Sequence, residues 1–234
     1  MKRWFTLSVV LTALTFAGTL YVWSDAAALL PDPVPVHWDA HGQPNGFVPR
    51  DRVLPWLLIT PGLMAGMLVL LAALPWLSPR QFGIDRFRAT YDYIVFLVTA
   101  LFAYIQAGIL MASLKNPPVN SLTWFMGGLF LFFALLGNVM GKVRRNFYVG
   151  IRTPWTLASE TVWNQTHRVA AWLFVAGGLL GFAAVMAGVP FWWCFLVLLV
   201  VALAPVLYSL LLYKRLEREG KLDRSDSSQE VNVS

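Results

Sequence analysis

Charge is what this chain has least of: 13% of its 234 residues are Asp, Glu, Lys or Arg, about half the ~25% usual in a soluble domain. Water is therefore excluded as its main solvent. A single cysteine, Cys194, rules out an intrachain disulfide and any multi-thiolate metal centre. Buried charge is missing too, since no apolar stretch carries an Asp, Glu, Lys or Arg near its middle. Proton- and ion-coupled transporters accept a cost of ~2.5–3.5 kcal/mol to hold such groups at mid-membrane, so coupled transport has little to work with. Paired carboxylates beside a nucleophile are also lacking, which argues against an active site. No internal repeat or low-complexity tract is visible.

What is present is apolar length. Hydrophobic residues make up 58% of the chain, mean hydropathy is +0.61, and the apolar runs approach the ~20 residues that cross a ~30 Å hydrocarbon layer. Six spans are expected, near Trp4–Trp23, Val53–Leu77, Tyr91–Ser113, Leu122–Met140, Val169–Ala187 and Phe191–Tyr213, which defines an all-α polytopic membrane protein. The first run exceeds a signal-peptide core and is bracketed by Trp4, Tyr21 and Trp23 like an anchored helix, so it reads as retained.

The net charge of +6 belongs to topology rather than to nucleic acid. Fifteen of the 18 basic residues fall at the N-terminus, in 78–90, in 141–168 and in the tail, whereas the opposite side holds only Arg50, Arg52 and Lys115. By the positive-inside rule the rich side is cytoplasmic, both termini face it, and an even number of spans follows. The expected layout is an N-terminal three-helix half (1–113) with an outer loop (24–52), a C-terminal three-helix half (114–213) with an inner loop (141–168), and a disordered tail (214–234).

Helices in lipid associate where small residues let backbones approach, and Gly62/Gly66, Gly137/Gly141 and Gly177/Gly181 are each spaced to share a helix face. Pro55, Pro61 and Pro75 should break backbone pairing in the second span, leaving carbonyls for neighbours to satisfy. Gln106 and Asn138, the main polar side chains at depth, read as interhelical glue. In the outer loop, prolines 31, 33 and 35 favour extended chain and Asn45-Gly46 suggests the tight turn of a hairpin. His37, Asp39 and His41 alternate as zinc ligands on a strand could, but Gly42 and the turn chemistry favour use by the loop's own backbone, so no metal or other cofactor is expected.

The inner loop is the most informative segment. It runs Gly137-Asn138-Val-Met-Gly141-Lys-Val-Arg144-Arg145-Asn146-Phe-Tyr148-Val-Gly150-Ile-Arg152-Thr153-Pro154-Trp155, then Ser159-Glu160, Trp163 and His167-Arg168. Thr153 is a suitable N-cap and Pro154 a suitable first residue for a loop helix carrying Trp155, Leu157, Val162 and Trp163, expected to lie in the membrane interface with Arg144, Arg145, Arg152 and Arg168 near anionic head groups. The whole segment resembles the signature of the SdpI family of bacterial membrane proteins. The Pro-x-His37-Trp start and Gly42-x-Pro-x-Gly46 turn of the outer loop are similar to an uncharacterised domain found ahead of that signature.

The resemblance implies a binding protein of the bacterial inner membrane that gives immunity to a membrane-active peptide toxin, captures a cytoplasmic repressor when toxin is present, or does both. On this expectation Asn138, Gly141, Asn146, Gly150, Arg152, Thr153, Pro154, Trp155, Ser159, Trp163 and His167 form an inner binding motif, and His37, Gly42 and Gly46 an outer one. Partners would be membrane lipids, a toxin outside, a repressor inside and a second copy of the chain, with no nucleic acid. The competing readings are a membrane-embedded enzyme or transporter using His37, Asp39, His41 or His167, and a structural subunit of a membrane complex.

Overall fold

The computed structural model describes residues 2–77, 83–117 and 121–222. Among them run α1 (Lys2–Ser24), the short α2 (Ala26–Leu29), a hairpin of β1 (Val34–Trp38) and β2 (Pro44–Val48), α3 (Leu54–Leu57), α4 (Ile59–Leu77), α5 (Arg88–Ala112), α6 (Ser121–Met140), α7 (Pro154–Ala158), α8 (Glu160–Met186) and α9 (Phe191–Arg218). Among the described residues five helices are long and apolar enough to cross a membrane, and α4 is an apolar helix that falls short by the same measure. Their outward faces carry large apolar side chains such as Leu14, Trp76, Leu180 and Leu211, each more than half exposed, a surface that only lipid would cover without penalty. Of the expected tail, Lys214–Arg218 continue α9, Gly220 turns the chain at φ +62°, and residues 223–234 lie outside the described residues, as does Arg80.

The expected second span is divided at Leu58, and proline explains how. Leu58 is itself right-handed helical (φ −85°, ψ −7°), and its N–H and C=O bond to Leu54 and Gly62 as in an unbroken helix. What is missing is the bond that Leu57 C=O would accept from residue 61, because Pro61 has no N–H. Gln106 on α5 supplies it: Nε2 donates to Leu57 O at 2.9 Å and lies 3.0 Å from Thr19 Oγ1 on α1. The same substitution recurs lower down. Pro75 cannot donate to Leu71 C=O, and the Tyr91 hydroxyl of α5 donates to it at 2.6 Å. Gln106 is thus buried glue, as expected, whereas Asn138 is exposed at the end of α6 rather than inside the bundle.

Helix packing departs from the expected glycine pairs. A Cβ on Gly178 would lie 2.6 Å from Ala134 N and 2.7 Å from Phe130 O, and one on Gly137 would lie 2.7 Å from Val175 N, so α6 and α8 touch backbone to backbone there. Gly181 also faces α6, against the Phe130 ring, but Gly177 faces Val201 of α9. The seam therefore runs through Gly178 and Gly181, three apart, because the 100° step between Gly177 and Gly178 sends them to different neighbours. Gly141 makes only an ordinary contact with Ala171, and Gly62 and Gly66 meet nothing within 4 Å. On α1, Ser8, Thr12, Thr15 and Thr19 each return a hydroxyl hydrogen bond to the carbonyl four residues back. Their spacing of four, three and four puts them on one face, and all but Thr15 are fully buried.

The outer hairpin folds down onto the bundle. Leu30, Val34, Val53 and Leu57 form its buried core against Leu110 and Leu114 of the α5 end, Ser113 Oγ donates to Pro35 O at 3.0 Å, and the Lys115 ammonium and backbone N–H donate to Ala27 O and Leu29 O. Its turn is not Asn45-Gly46. The strands pair His37 with Gly46 and Trp38 with Pro44, so the turn is Asp39–Gln43 and the left-handed residue is Gly42, at φ +76°. Asp39 decides this: its Oδ1 accepts from the N–H of His41 (2.8 Å) and of Gln43 (2.9 Å), closing an Asx-type turn.

A candidate functional site on the inner loop

Between α6 and α7 the chain has no regular structure, so its backbone groups need other partners. Asn146, fully buried, provides four. Its Oδ1 accepts from Tyr148 N (2.7 Å) and Val149 N (2.8 Å), while Nδ2 donates to Arg144 O (2.8 Å) and Val149 O (2.9 Å). Every hydrogen-bonding position that an amide side chain commonly uses is taken.

His167 holds the next turn. Its Nε2 accepts from Ile151 N–H at 3.0 Å and its Nδ1 lies 2.8 Å from Trp163 O, one turn back on α8. Since one nitrogen faces a donor and the other a carbonyl, the neutral Nδ1–H tautomer is the form that satisfies both. The imidazole also stacks on the Trp163 ring, 4.1 Å between centroids at 19°, and Trp163 Nε1 donates to Val143 O at 2.8 Å. Gly150 passes over this stack at φ +114°, where a Cβ would sit 2.4 Å from His167 Nε2 and 3.2 Å from the Trp163 ring. Only glycine combines that backbone conformation with that space.

Thr153 caps α7 as expected, with Thr156 as the reciprocal partner: Thr156 N–H donates to Thr153 Oγ1 at 3.2 Å, and Thr153 N–H to Thr156 Oγ1 at 2.8 Å. The helix is shorter than expected. Ser159 is extended (φ −137°, ψ 128°) and its Oγ accepts from Val162 N–H, so α7 ends at Ala158 and Val162 and Trp163 belong to α8, which starts at Glu160. Trp155, expected at the interface, is tied to the bundle: its Nε1 donates to Ser209 Oγ of α9 at 2.5 Å. The Arg152 guanidinium donates to Phe147 O, and Arg145 donates to Leu157 O at 3.2 Å.

The expected inner motif thus separates by burial. Asn146, Ser159, Trp163 and His167 are buried and Gly150, Thr153 and Trp155 partly so, and together they fix the loop on α8 and α9. Asn138, Gly141, Arg152 and Pro154 are exposed, together with Phe147, which the sequence reading omitted. Thr156 and Ser209 were also missed. The Thr-Pro-x-Thr spacing gave a signal for Thr156, but nothing local links Trp155 to a serine 54 residues away. Nor does His167 offer a nitrogen for catalysis, since both are engaged with backbone.

In the outer motif His37 is exposed and its Nδ1 lies 2.5 Å from Asn45 Oδ1. Gly46 is needed opposite it, because a Cβ there would come within 2.8 Å of His37 Cβ. The alternation that would set His37, Asp39 and His41 on one face ends with β1 at Trp38, and among the described residues no His, Cys, Asp and Glu cluster suits a metal ion. The two backbone N–H groups on Asp39 hold its carboxyl below the ordinary 3.8.

Long apolar helices with lipid-type outer faces and a polar loop locked at one end define a multi-pass helical membrane protein. Residues 142–209 match the SdpI/YfhL protein family, and residues 10–65 match a domain of unknown function, DUF1648. The chain is similar to Immunity protein SdpI of Bacillus subtilis (strain 168), at 26% identity over 175 residues, which covers 74% of this chain and 77% of that protein. No solved structure matches it. The two family segments take in both loops, so the resemblance carried by the inner and outer motifs holds, and this is an SdpI-like membrane protein.

Proposed function

We propose that the chain works as an immunity and signalling protein of the bacterial inner membrane, by binding rather than by chemistry. Both termini are cytoplasmic on this reading, following the basic asymmetry. The N-terminal half presents the hairpin to a membrane-active peptide outside, and the C-terminal half presents the inner loop to a cytoplasmic repressor. The observation that supports this best is the way the inner loop is built. Its buried residues consume their hydrogen bonds internally, while Phe147, Arg152 and Pro154 face outward from a backbone that Gly150, Asn146 and His167 hold still, an arrangement suited to docking. Toxin and repressor would communicate through a population shift between two arrangements of the bundle.

The test is expression in toxin-sensitive cells challenged with a membrane-active peptide toxin. Survival should rise with the wild-type chain and fall back with Arg152→Ala or Thr153→Ala at equal membrane abundance. Full protection by both variants would remove the inner loop from the mechanism, and no protection by the wild type would remove the immunity reading. Reporter fusions after Asp39 and after Ser159 should lie on opposite sides, with Ser159 cytoplasmic.

A further inference from the structure

Beside the inner loop lies a cleft of about 450 Å³ bordered by Gly83, Arg86, Arg144, Arg145 and Glu160. Three separate parts of the chain contribute: the 3-10 turn Ile84–Phe87 ahead of α5, the loop after α6, and the first turn of α8. Three guanidinium groups against one carboxylate leave the lining cationic. Arg86 and Arg144 are exposed, and Arg145 is held by its bond to Leu157 O. The backbone of Arg144 is fixed as well, since its carbonyl accepts from the buried Asn146 amide. Arg145 is therefore fixed beside the open volume, and the Arg86 and Arg144 side chains reach it from exposed positions.

The place of the cleft in the bundle narrows the ligand. It opens where α5 and α8, both long enough to cross a membrane, begin at the same end of the molecule, and the ends of membrane-crossing helices are where lipid head groups are met. Arginine is suited to a phosphodiester because its planar fork donates two parallel hydrogen bonds to it. Glu160 would be misplaced against a bare phosphate, but it can accept from a hydroxyl carried beside the phosphate, as on a glycerol head group.

We propose that this cleft binds the head group of an anionic glycerophospholipid of the phosphatidylglycerol type, with the phosphodiester between Arg86, Arg144 and Arg145 and the glycerol hydroxyls at Glu160. The inference does not depend on the immunity reading. A bound lipid would tie the start of α5 to the inner loop, so lipid composition would tune how firmly the loop is held.

The experiment uses the full chain purified in detergent. Thermal unfolding is followed while short-chain phosphatidylglycerol, short-chain phosphatidylcholine or inorganic phosphate is added, and retained lipid is identified by native mass spectrometry. Phosphatidylglycerol should stabilise the wild type most and be retained. At about fivefold in affinity per basic residue near a head group, Arg86→Gln with Arg144→Gln should weaken that effect about thirtyfold. Arg52→Gln, in the outer segment, should leave it unchanged. Arg86→Lys with Arg144→Lys keeps the charge but loses the paired hydrogen bonds, so its stabilisation should fall between those of the wild type and the double glutamine variant, which separates lost charge from lost folding. Equal stabilisation of wild type and double glutamine variant would overturn the site. Inorganic phosphate acting as well as the lipid, or phosphatidylcholine matching phosphatidylglycerol, would overturn the lipid assignment.

Discussion

Gly150→Ala strikes the inner loop at its tightest point. The wild-type residue sits at φ +114°, a region where residues with a side chain are strained by ~1–3 kcal/mol. The added methyl would lie 2.4 Å from His167 Nε2, so the imidazole must move away from Ile151 N–H, the donor it now accepts from at 3.0 Å. A partly buried N–H left without its acceptor costs a further ~1–3 kcal/mol. The sum, about 2–6 kcal/mol, exceeds what a loop of this size is expected to hold in reserve. The contacts between α6 and α8 lie deeper, through Gly137, Gly178 and Gly181, and do not pass through Gly150. The expected result is therefore local: the backbone amides of residues 146–152 lose hydrogen-exchange protection while those in the middle of α6 and α8 keep it, and the protein stays folded in the membrane. Unchanged protection at Tyr148, Val149 and Ile151 would refute the account of how this loop is held. Uniform loss across the helices would refute its independence from the bundle.

Three further outcomes follow from the helices and the outer turn. Gln106→Leu leaves Leu57 C=O without its replacement donor and should cost ~0.6–1.7 kcal/mol, the range for interhelical hydrogen bonds in membranes; Pro61→Ala restores a backbone N–H, so a double-mutant cycle by denaturation should show the cost shrinking in that background, and simple additivity would sink the argument. Gly178→Ala should lower the melting temperature clearly, since its methyl meets the backbone of α6 at 2.6 Å, whereas Gly62→Ala and Gly66→Ala, facing open space, should be neutral or stabilising by up to ~1 kcal/mol each; the reverse order in thermal melts would contradict the seam. For Asp39, whose folded carboxyl titrates below 3.8, the sign is that of a depressed acid: the turn gains stability above pH 3.8, and loses it as pH falls through the lower folded value. The amide resonances of His41 and Gln43 should accordingly hold still from neutral pH to about pH 5 and move only in stronger acid; movement nearer neutrality would contradict this account of the turn.

The order of the apolar helices was legible in the sequence because apolar length is a one-dimensional property, though the second span is divided into α3 and an α4 that falls short of the other five, and the wish of Pro61 and Pro75 for outside donors followed from the missing N–H alone. Which side chains would answer was not legible, because Gln106 and Tyr91 approach from 49 and 20 residues away. The glycine spacing gave candidate seams but could not say which helix lay opposite each face, and that is why Gly62 and Gly66 proved open and Gly178 was overlooked. The Asn45-Gly46 reading failed because Asp39, six residues earlier, offers a carboxylate to two amides and places the turn first. In the inner motif burial divides the residues: Asn146, Trp163 and His167 hold the loop, and Arg152 and Phe147 face out. Pattern alone did not separate those two roles.

Both vacated carbonyls of the second span are answered from the same helix. Leu57 and Leu71 are fourteen residues apart, while Gln106 and Tyr91 are fifteen apart on the antiparallel α5, so at 1.5 Å per residue the donors and acceptors match to within one residue's rise, over about 21–23 Å. α5 acts as a ruler laid along α3 and α4. Sliding either helix by one residue would take both donors off their carbonyls at once, which leaves a single register between them. The prolines that weaken the second span in isolation are thereby what fixes its address in the assembled bundle, with α5 tied to α3 through Leu57 and to α4 through Leu71.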